Sequence, residues 1–234
     1  ACGDYLWNHK GHALVVCGLN DVNAQVVVNE INTLLGSYGH TIDLNAEVNL
    51  YQGNDKAMAE LTKNIKGNAI ILYGVNPAYT LPNGSEFNEA LKSAAISVSF
   101  ADRAEETEVQ YLCPDHHYLE SWNDYNPVKG HYSLQQPTIH PLFDTRAAQE
   151  SLLVWAGKAN RSDKNSTVYR DYIKNNWSNT LFASSGKLLF DEFWNTSLHD
   201  GVYHVDAAAE VATEVASTAN VSDAASSLIK AAAA

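Results

Sequence analysis

Between residues 13 and 100 the hydrophobic positions follow two alternating rhythms, short unbroken apolar runs and longer stretches with helical spacing. Ala13-Leu-Val-Val-Cys17 has the texture of a fully buried strand, and the turn and capping residues Gly18, Asn20, Asp21 and Asn23 come next. Helical spacing then sets Val27, Ile31, Leu34 and Leu35 on one face, with Gly36 where a left-handed cap belongs. A second helix is expected from Asp55 to Lys66, carrying Met58, Leu61 and Ile65 on one side and ended by Gly67. Ala69-Ile-Ile-Leu-Tyr73 is the clearest buried strand. It runs into Gly74-Val75-Asn76-Pro77, a turn expected to continue neither strand nor helix. A helix over Ser85 to Ala94, capped by Ser85, turns Phe87, Ala90, Leu91 and Ala94 inward, and Ile96-Ser-Val-Ser-Phe100 is the next strand. Strand, crossover helix and strand in succession give an α/β fold class, a Rossmann-like parallel sheet with crossover helices.

Regularity gives way from 101 to 145, a segment rich in His, Tyr, Trp, Asp and Pro that is expected to be irregular and to make contacts. Helical spacing returns with Leu152, Leu153 and Ala156, then Val168, Tyr172, Ile173 and Asn176, then Phe190, Phe193, Trp194 and Leu198 before Gly201. Beyond about Val205 the chain is mostly Ala, Ser, Thr and Glu, so it reads as an Ala-rich helix or linker. The expected organisation is therefore one α/β domain over 11–204 with its C-terminal helices, and a tail over 205–234 leading towards a missing segment.

Composition supports a folded chain: of 234 residues, 45% are hydrophobic and 18% charged. The net charge of −12 repels phosphate backbones, which argues against nucleic acid as a partner. No apolar run approaches the roughly 20 residues of a spanning helix, so a membrane link is expected to come through another protein. The chain opens without an initiator Met or a signal-peptide pattern, and on that ground it is expected to be part of something longer. Cys2, Cys17 and Cys113 lie far apart, too few for an all-cysteine iron–sulfur site, and are expected to be ordinary thiols.

In open parallel sheets ligands bind beyond the carboxyl ends of the strands, so the loop Gly74 to Pro82 and the segment after Phe100 are expected to share a crevice. The Gly74 to Pro77 turn offers close backbone approach and a side-chain amide, but no G-x-G-x-x-G or P-loop pattern is present, and Ser184-Ser-Gly-Lys187 lacks the rest of one. Asp115-His116-His117-Tyr118-Leu119-Glu120 would set His116 and Glu120 on one face if it were helical, one turn of a metal site. No third ligand stands at a telling interval, and the neighbouring Pro114, Trp122 and Pro127 favour an irregular loop, so no metal ligand is assigned.

Taken together, Tyr73 to Pro82, Ser97-Val-Ser-Phe-Ala-Asp-Arg103, Glu106-Thr107, Leu112 to Trp122 and Gln136-Pro-Thr-Ile-His-Pro141 resemble, in that order, the second nucleotide-binding domain of molybdopterin oxidoreductases. The stretch Asn29 to Gly39 resembles an earlier helix of that family, so the likeness covers roughly residues 11 to 201. The run Cys113-Pro-Asp-His-His-Tyr-Leu-Glu-Ser-Trp-Asn-Asp124 resembles most the molybdopterin-oxidoreductase-like part of the large periplasm-facing subunit of bacterial alternative complex III. That resemblance implies a non-catalytic scaffold domain of a respiratory quinol:cytochrome c oxidoreductase, on the periplasmic side of the inner membrane. Its implied partners are an iron–sulfur part, quinol-binding membrane subunits and cytochrome c subunits. Carried over position by position, Gly74, Asn76 and Pro77 fall where catalytic relatives hold the guanosine end of the pterin cofactor, and Glu106 and Thr107 match a neighbouring motif.

The usual A-x-x-A-D after that motif is replaced by Glu108-Val-Gln-Tyr111, and the interval to Pro114 is shorter than in the family. With Glu108 adding a carboxylate and Arg103 the nearby cation, the pterin cradle is expected to be vacant, with no cofactor in this chain and the iron–sulfur clusters elsewhere in the subunit. A fragment of an active molybdenum oxidoreductase and a free-standing periplasmic binding module are the competing readings.

Overall fold

The computed structural model describes residues 2–50, 53–160, 166–205 and 220–232. They fall into two compact units, one of Ala1–Asn49, Val128–Gly130 and Asp206–Ala234, the other of Leu50–Pro127 and His131–Val205.

The first unit starts with a short helix, α1 (Cys2–Asn8), and a longer one, α2 (Val22–Leu34). Asp21 caps α2 by accepting from the Ala24 amide at 2.9 Å, satisfying one of the donors that a helix start leaves open. Leu35 and Gly36 follow as the spacing requires, Leu35 buried and Gly36 at φ 65°, but Leu34 is exposed, and the buried face of α2 itself is Ala24 and Asn32. The expected strand over Ala13–Cys17 does not form: these residues belong to no strand, and Leu14 and Val16 are exposed. The physical reason is that among the described residues no strand pairs with them. The side chain of Asn32 takes that place, its Oδ1 accepting from the Val15 amide and its Nδ2 donating to the Val15 carbonyl, both at 2.9 Å.

The second unit opens with α3 (Asp55–Lys63), capped by Asn54, whose side chain accepts from the Ala57 amide at 2.9 Å. The helix stops three residues short of the expected Lys66 end, and its buried position is Thr62, Leu61 being exposed. A parallel sheet follows, built from β1 (Ala69–Leu72), β2 (Ile96–Ser99) and β3 (Tyr111–Leu112) in that order. Ile70 pairs with Ser97 and Leu72 with Ser99, which fixes one face. On that face Ile70 and Leu72 join Ile65, Phe87, Leu91 and Ala94 in one apolar core. Ile71 points the other way and is 47% exposed, so β1 is buried on one face rather than two.

Between β1 and β2 the chain forms α4 (Pro77–Thr80) and α5 (Gly84–Leu91). Pro77, the last residue of the turn expected to continue neither strand nor helix, instead begins α4: a proline at the first helical position lacks only an amide that would have no partner there. The cap of α5 is Asn83 rather than Ser85, and Gly84 is there because a Cβ at that position would overlap the Ala78 carbonyl.

The segment expected to be irregular contains a hairpin, β4 (Asn123–Val128) and β5 (His131–Gln135), after a single 3-10 turn over Tyr118–Glu120. The helices α6 (Ala148–Trp155), α7 (Val168–Thr180) and α8 (Phe190–Asp200) come next, and Gly201 at φ 72° turns the chain into β6 (Val202–His204). Antiparallel to β5, β6 completes a second three-stranded sheet with Tyr132 opposite Tyr203. A second core lies here around Trp177, which is fully buried, with Leu134, Ile173, Leu181, Phe193 and Trp194. Trp194 meets the Trp177 ring edge to face, their centroids 6.0 Å apart, and the Trp177 Nε1–H donates to Asp124 Oδ2 at 2.8 Å.

The tail helix α9 (Val221–Ala232) buries Ala224 and packs on α2 within the first unit. The remainder of the expected linker, 206–219, lies outside the described residues.

Candidate functional site

The carboxyl ends of β1 and β2 and the start of the Asp115 loop border one crevice of about 420 Å³, as the strand-end argument requires. Its floor and walls include Tyr73, Gly74, Phe100, Asp102, Glu105 and Asp115. Gly74 sits at φ 63°, a left-handed conformation that lets the chain leave β1 sharply, and open space surrounds the position a Cβ would take. Phe100 is buried, Tyr73 meets its ring at 84° with centroids 6.3 Å apart, and Trp155 lies against it at 5.5 Å. The Tyr73 hydroxyl accepts from Gln149 Nε2 at 2.6 Å. Burial first, and the Asp115 carboxylate second, push the Tyr73 hydroxyl above its usual range.

Asp115 is the central polar group. Its Oδ1 accepts both from the Ala148 amide, the first residue of α6, and from the His116 amide, each at 2.8 Å. A carboxylate at a helix start complements the partial positive charge there, and it serves α6, whose own N-cap Ala147 has no side chain able to do so. Burial nevertheless raises the Asp115 pKa, the two amides offsetting it in part.

The sequence-derived cofactor positions divide in two. Gly74 lines the crevice, but Asn76, Pro77, Glu106 and Thr107 do not; Asn76 bonds both Glu106 and Thr107, and Pro77 opens the helix next to them. Asn76 Nδ2 donates to Glu106 Oε2 at 2.7 Å, the Thr107 hydroxyl donates to Asn76 Oδ1 at 2.7 Å, and the Ala78 amide donates to Thr107 Oγ1 at 2.9 Å. The Asn76 hydrogen bond holds Glu106 below the usual carboxylate range.

A nucleotide pyrophosphate needs free amides at a helix start and unpaired cations. At the start of α4, Pro77 has no N–H and the Ala78 N–H is engaged by Thr107. Arg103, the expected counter-charge, is held by Asp102 through two bonds of 2.9 and 2.6 Å, which keeps Asp102 ionised below its usual range. Asp102, Glu105 and Asp115 then face the crevice. The start of α4 therefore offers a pyrophosphate neither of its first two amides, and carboxylates rather than free cations line the crevice.

The Asp115 to Glu120 run does not build a metal-ligand face. His117 and Glu120 form a reciprocal cap on the 3-10 turn, and Glu120 accepts from the His117 amide at 3.0 Å and the Leu142 amide at 2.9 Å. Among the described residues no group of three or more His, Cys, Asp or Glu is arranged to hold a metal ion. Ser184 to Lys187 is a turn in which Lys187 pairs with Glu192 at 2.7 Å, and the three cysteines are unpaired thiols. Sequence reasoning missed Gln149, Glu150 and Trp155, which α6 brings to this region from far along the chain; a polar pair inside a helical pattern carries no signal of what it will face.

No family model matches the chain. Over 96 residues it is 35% identical to the menaquinone reductase, molybdopterin-binding-like subunit of Nitratidesulfovibrio vulgaris, a match covering 38% of this chain and 14% of that protein. The chain thus spans a small part of that relative's length.

Proposed function

We propose that the chain is a non-catalytic domain of the molybdopterin-oxidoreductase-like subunit of a membrane-associated quinone oxidoreductase complex, where it supplies assembly surface and holds no molybdopterin. The observation that carries this reading is the hydrogen-bonded chain Glu106–Asn76–Thr107: groups that would hold a cofactor hold each other, beside a crevice lined by carboxylates. The similarity to a menaquinone reductase subunit supports the quinone side of the reading. Within it we place the chain in a quinol-oxidising complex of the alternative complex III type, on the periplasmic side of the inner membrane, with iron–sulfur clusters and cytochrome c in neighbouring segments and subunits. The domain's own residues orient loops and keep a strand end rigid; electrons pass elsewhere.

The test is metal and pterin analysis of the native complex, purified through this subunit from detergent-solubilised membranes. Iron without stoichiometric molybdenum, and no pterin on acid extraction, is the expected result. About one molybdenum per subunit, or recovery of the protein alone and free of quinone-reactive partners, overturns the reading.

A further inference from the structure

A second cavity, of about 210 Å³, lies in the same unit as the crevice, its wall including His116, Trp122, Ile139, His140, Glu150 and Tyr169. It is smaller than the roughly 300–1,000 Å³ of drug-sized sites, so its occupant is a small group. Glu150, in the first turn of α6, is only 6% exposed, lines this cavity and makes no hydrogen bond among the described residues. The Nε2 of His116, which also lines it, is buried and equally without a partner.

His116 Nε2 is unusual for a protein interior, where polar groups are paired, whereas the Glu150 carboxylate keeps open surface on the cavity. Their neighbours differ. Glu120 is occupied by two amides, the Tyr169 hydroxyl donates to Asn123 Oδ1 at 3.0 Å, and Arg170, the one cation among the described lining residues, pairs with Asp171 at 2.8 Å.

A ligand that matches this cavity brings positive charge to Glu150. Anions are disfavoured by two carboxylates, Glu120 and Glu150. A metal ion is disfavoured because the described residues do not assemble three ligands. Trp122 and Tyr169 are among the lining residues, and aromatic rings attract cations.

We propose that this cavity is a binding site for a guanidinium or alkylammonium group, with Glu150 as its counter-ion. The inference is independent of whether the Gly74 crevice holds a cofactor.

Two probes test it on the full chain, each against sodium chloride at equal ionic strength: methylguanidinium chloride, for a free small cation, and N-acetyl-arginine N-methylamide, for an arginine side chain presented by a polypeptide. Saturable binding of either, followed by NMR at the Trp122 indole N–H and the His116 ring, with affinity reduced at least about tenfold in Glu150→Gln, is the expected result. Preference for the first probe assigns the site to a free cation, preference for the second to a side chain. Glu150→Gln is expected to fold with an unchanged Tm, since it keeps the side chain's shape and no hydrogen bond of Glu150 among the described residues is lost. If that variant does not fold, the wild-type shifts decide alone. Failure of both probes to saturate, shifts confined to Trp7 or Trp155, or binding undiminished in Glu150→Gln overturns the proposal.

Discussion

Trp177 concentrates more of the molecule's stability than any other single side chain of the second core, because it joins an apolar role to a polar one. Its ring is fully buried among Phe193, Trp194 and Tyr132, and its N–H is what Asp124 accepts. Truncation to Ala removes both; the expected cost is about 3–5 kcal/mol in urea unfolding, while Trp177→Phe keeps much of the packing and loses about 1–3 kcal/mol through the unpaired Asp124. Asp115 acts in the opposite sense. Its folded pKa lies above the ordinary aspartate value of 3.8, so the folded state binds the proton more tightly and stability falls as pH rises from 3.8 through the raised value. Asp115→Asn retains an oxygen for the Ala148 and His116 amides without the charge. We expect it to flatten that decline and to raise Tm at pH 7 by a few degrees, read by thermal melts between pH 3.5 and 8. Glu106 has the usual sign, its lowered pKa giving stability above its unfolded value that is lost as pH falls through the folded one.

At the scale of elements, two close associations replace features that propensity alone would have supplied. In the first unit, Asn32 substitutes for a partner strand by bonding both backbone groups of Val15. Asn32→Ala leaves those groups unpaired, and we expect a loss of about 1–3 kcal/mol, with faster amide exchange at Val15. In the second unit, α4 and α5 meet so tightly that only glycine fits at 84, where a Cβ would overlap the Ala78 carbonyl. Gly84→Ala is therefore expected to destabilise by about 1–3 kcal/mol despite alanine's better helix propensity, and guanidinium unfolding measures it.

At the scale of the whole molecule the net charge of −12 governs behaviour in solution. The ion pairs Lys92–Glu89, Arg103–Asp102 and Lys187–Glu192 are exposed and contribute little. Self-repulsion among the excess carboxylates is therefore the dominant long-range term. Raising ionic strength from about 0.01 M to about 0.1 M shortens the Debye length from roughly 30 to 10 Å. The expected outcome is a higher Tm with added salt; a Tm that falls would show that the exposed pairs outweigh the repulsion.

Hydrophobic spacing alone determined that β1 and β2 are strands, that helices lie between and after them, and that Phe87, Leu91, Ile173 and Phe193 face inward, because period and side-chain volume are local properties. The shared crevice at the two strand ends was legible too, since parallel strands place their carboxyl ends together. What spacing could not reveal is pairing over distance. Whether Ala13–Cys17 finds a strand, whether Asn76 bonds a ligand or Thr107, and whether β6 returns to β5 each depends on a contact that ranges from 17 to more than 70 positions away. Only the packed chain decides such contacts, because the free energy of a polar group is set by the partner that burial leaves it.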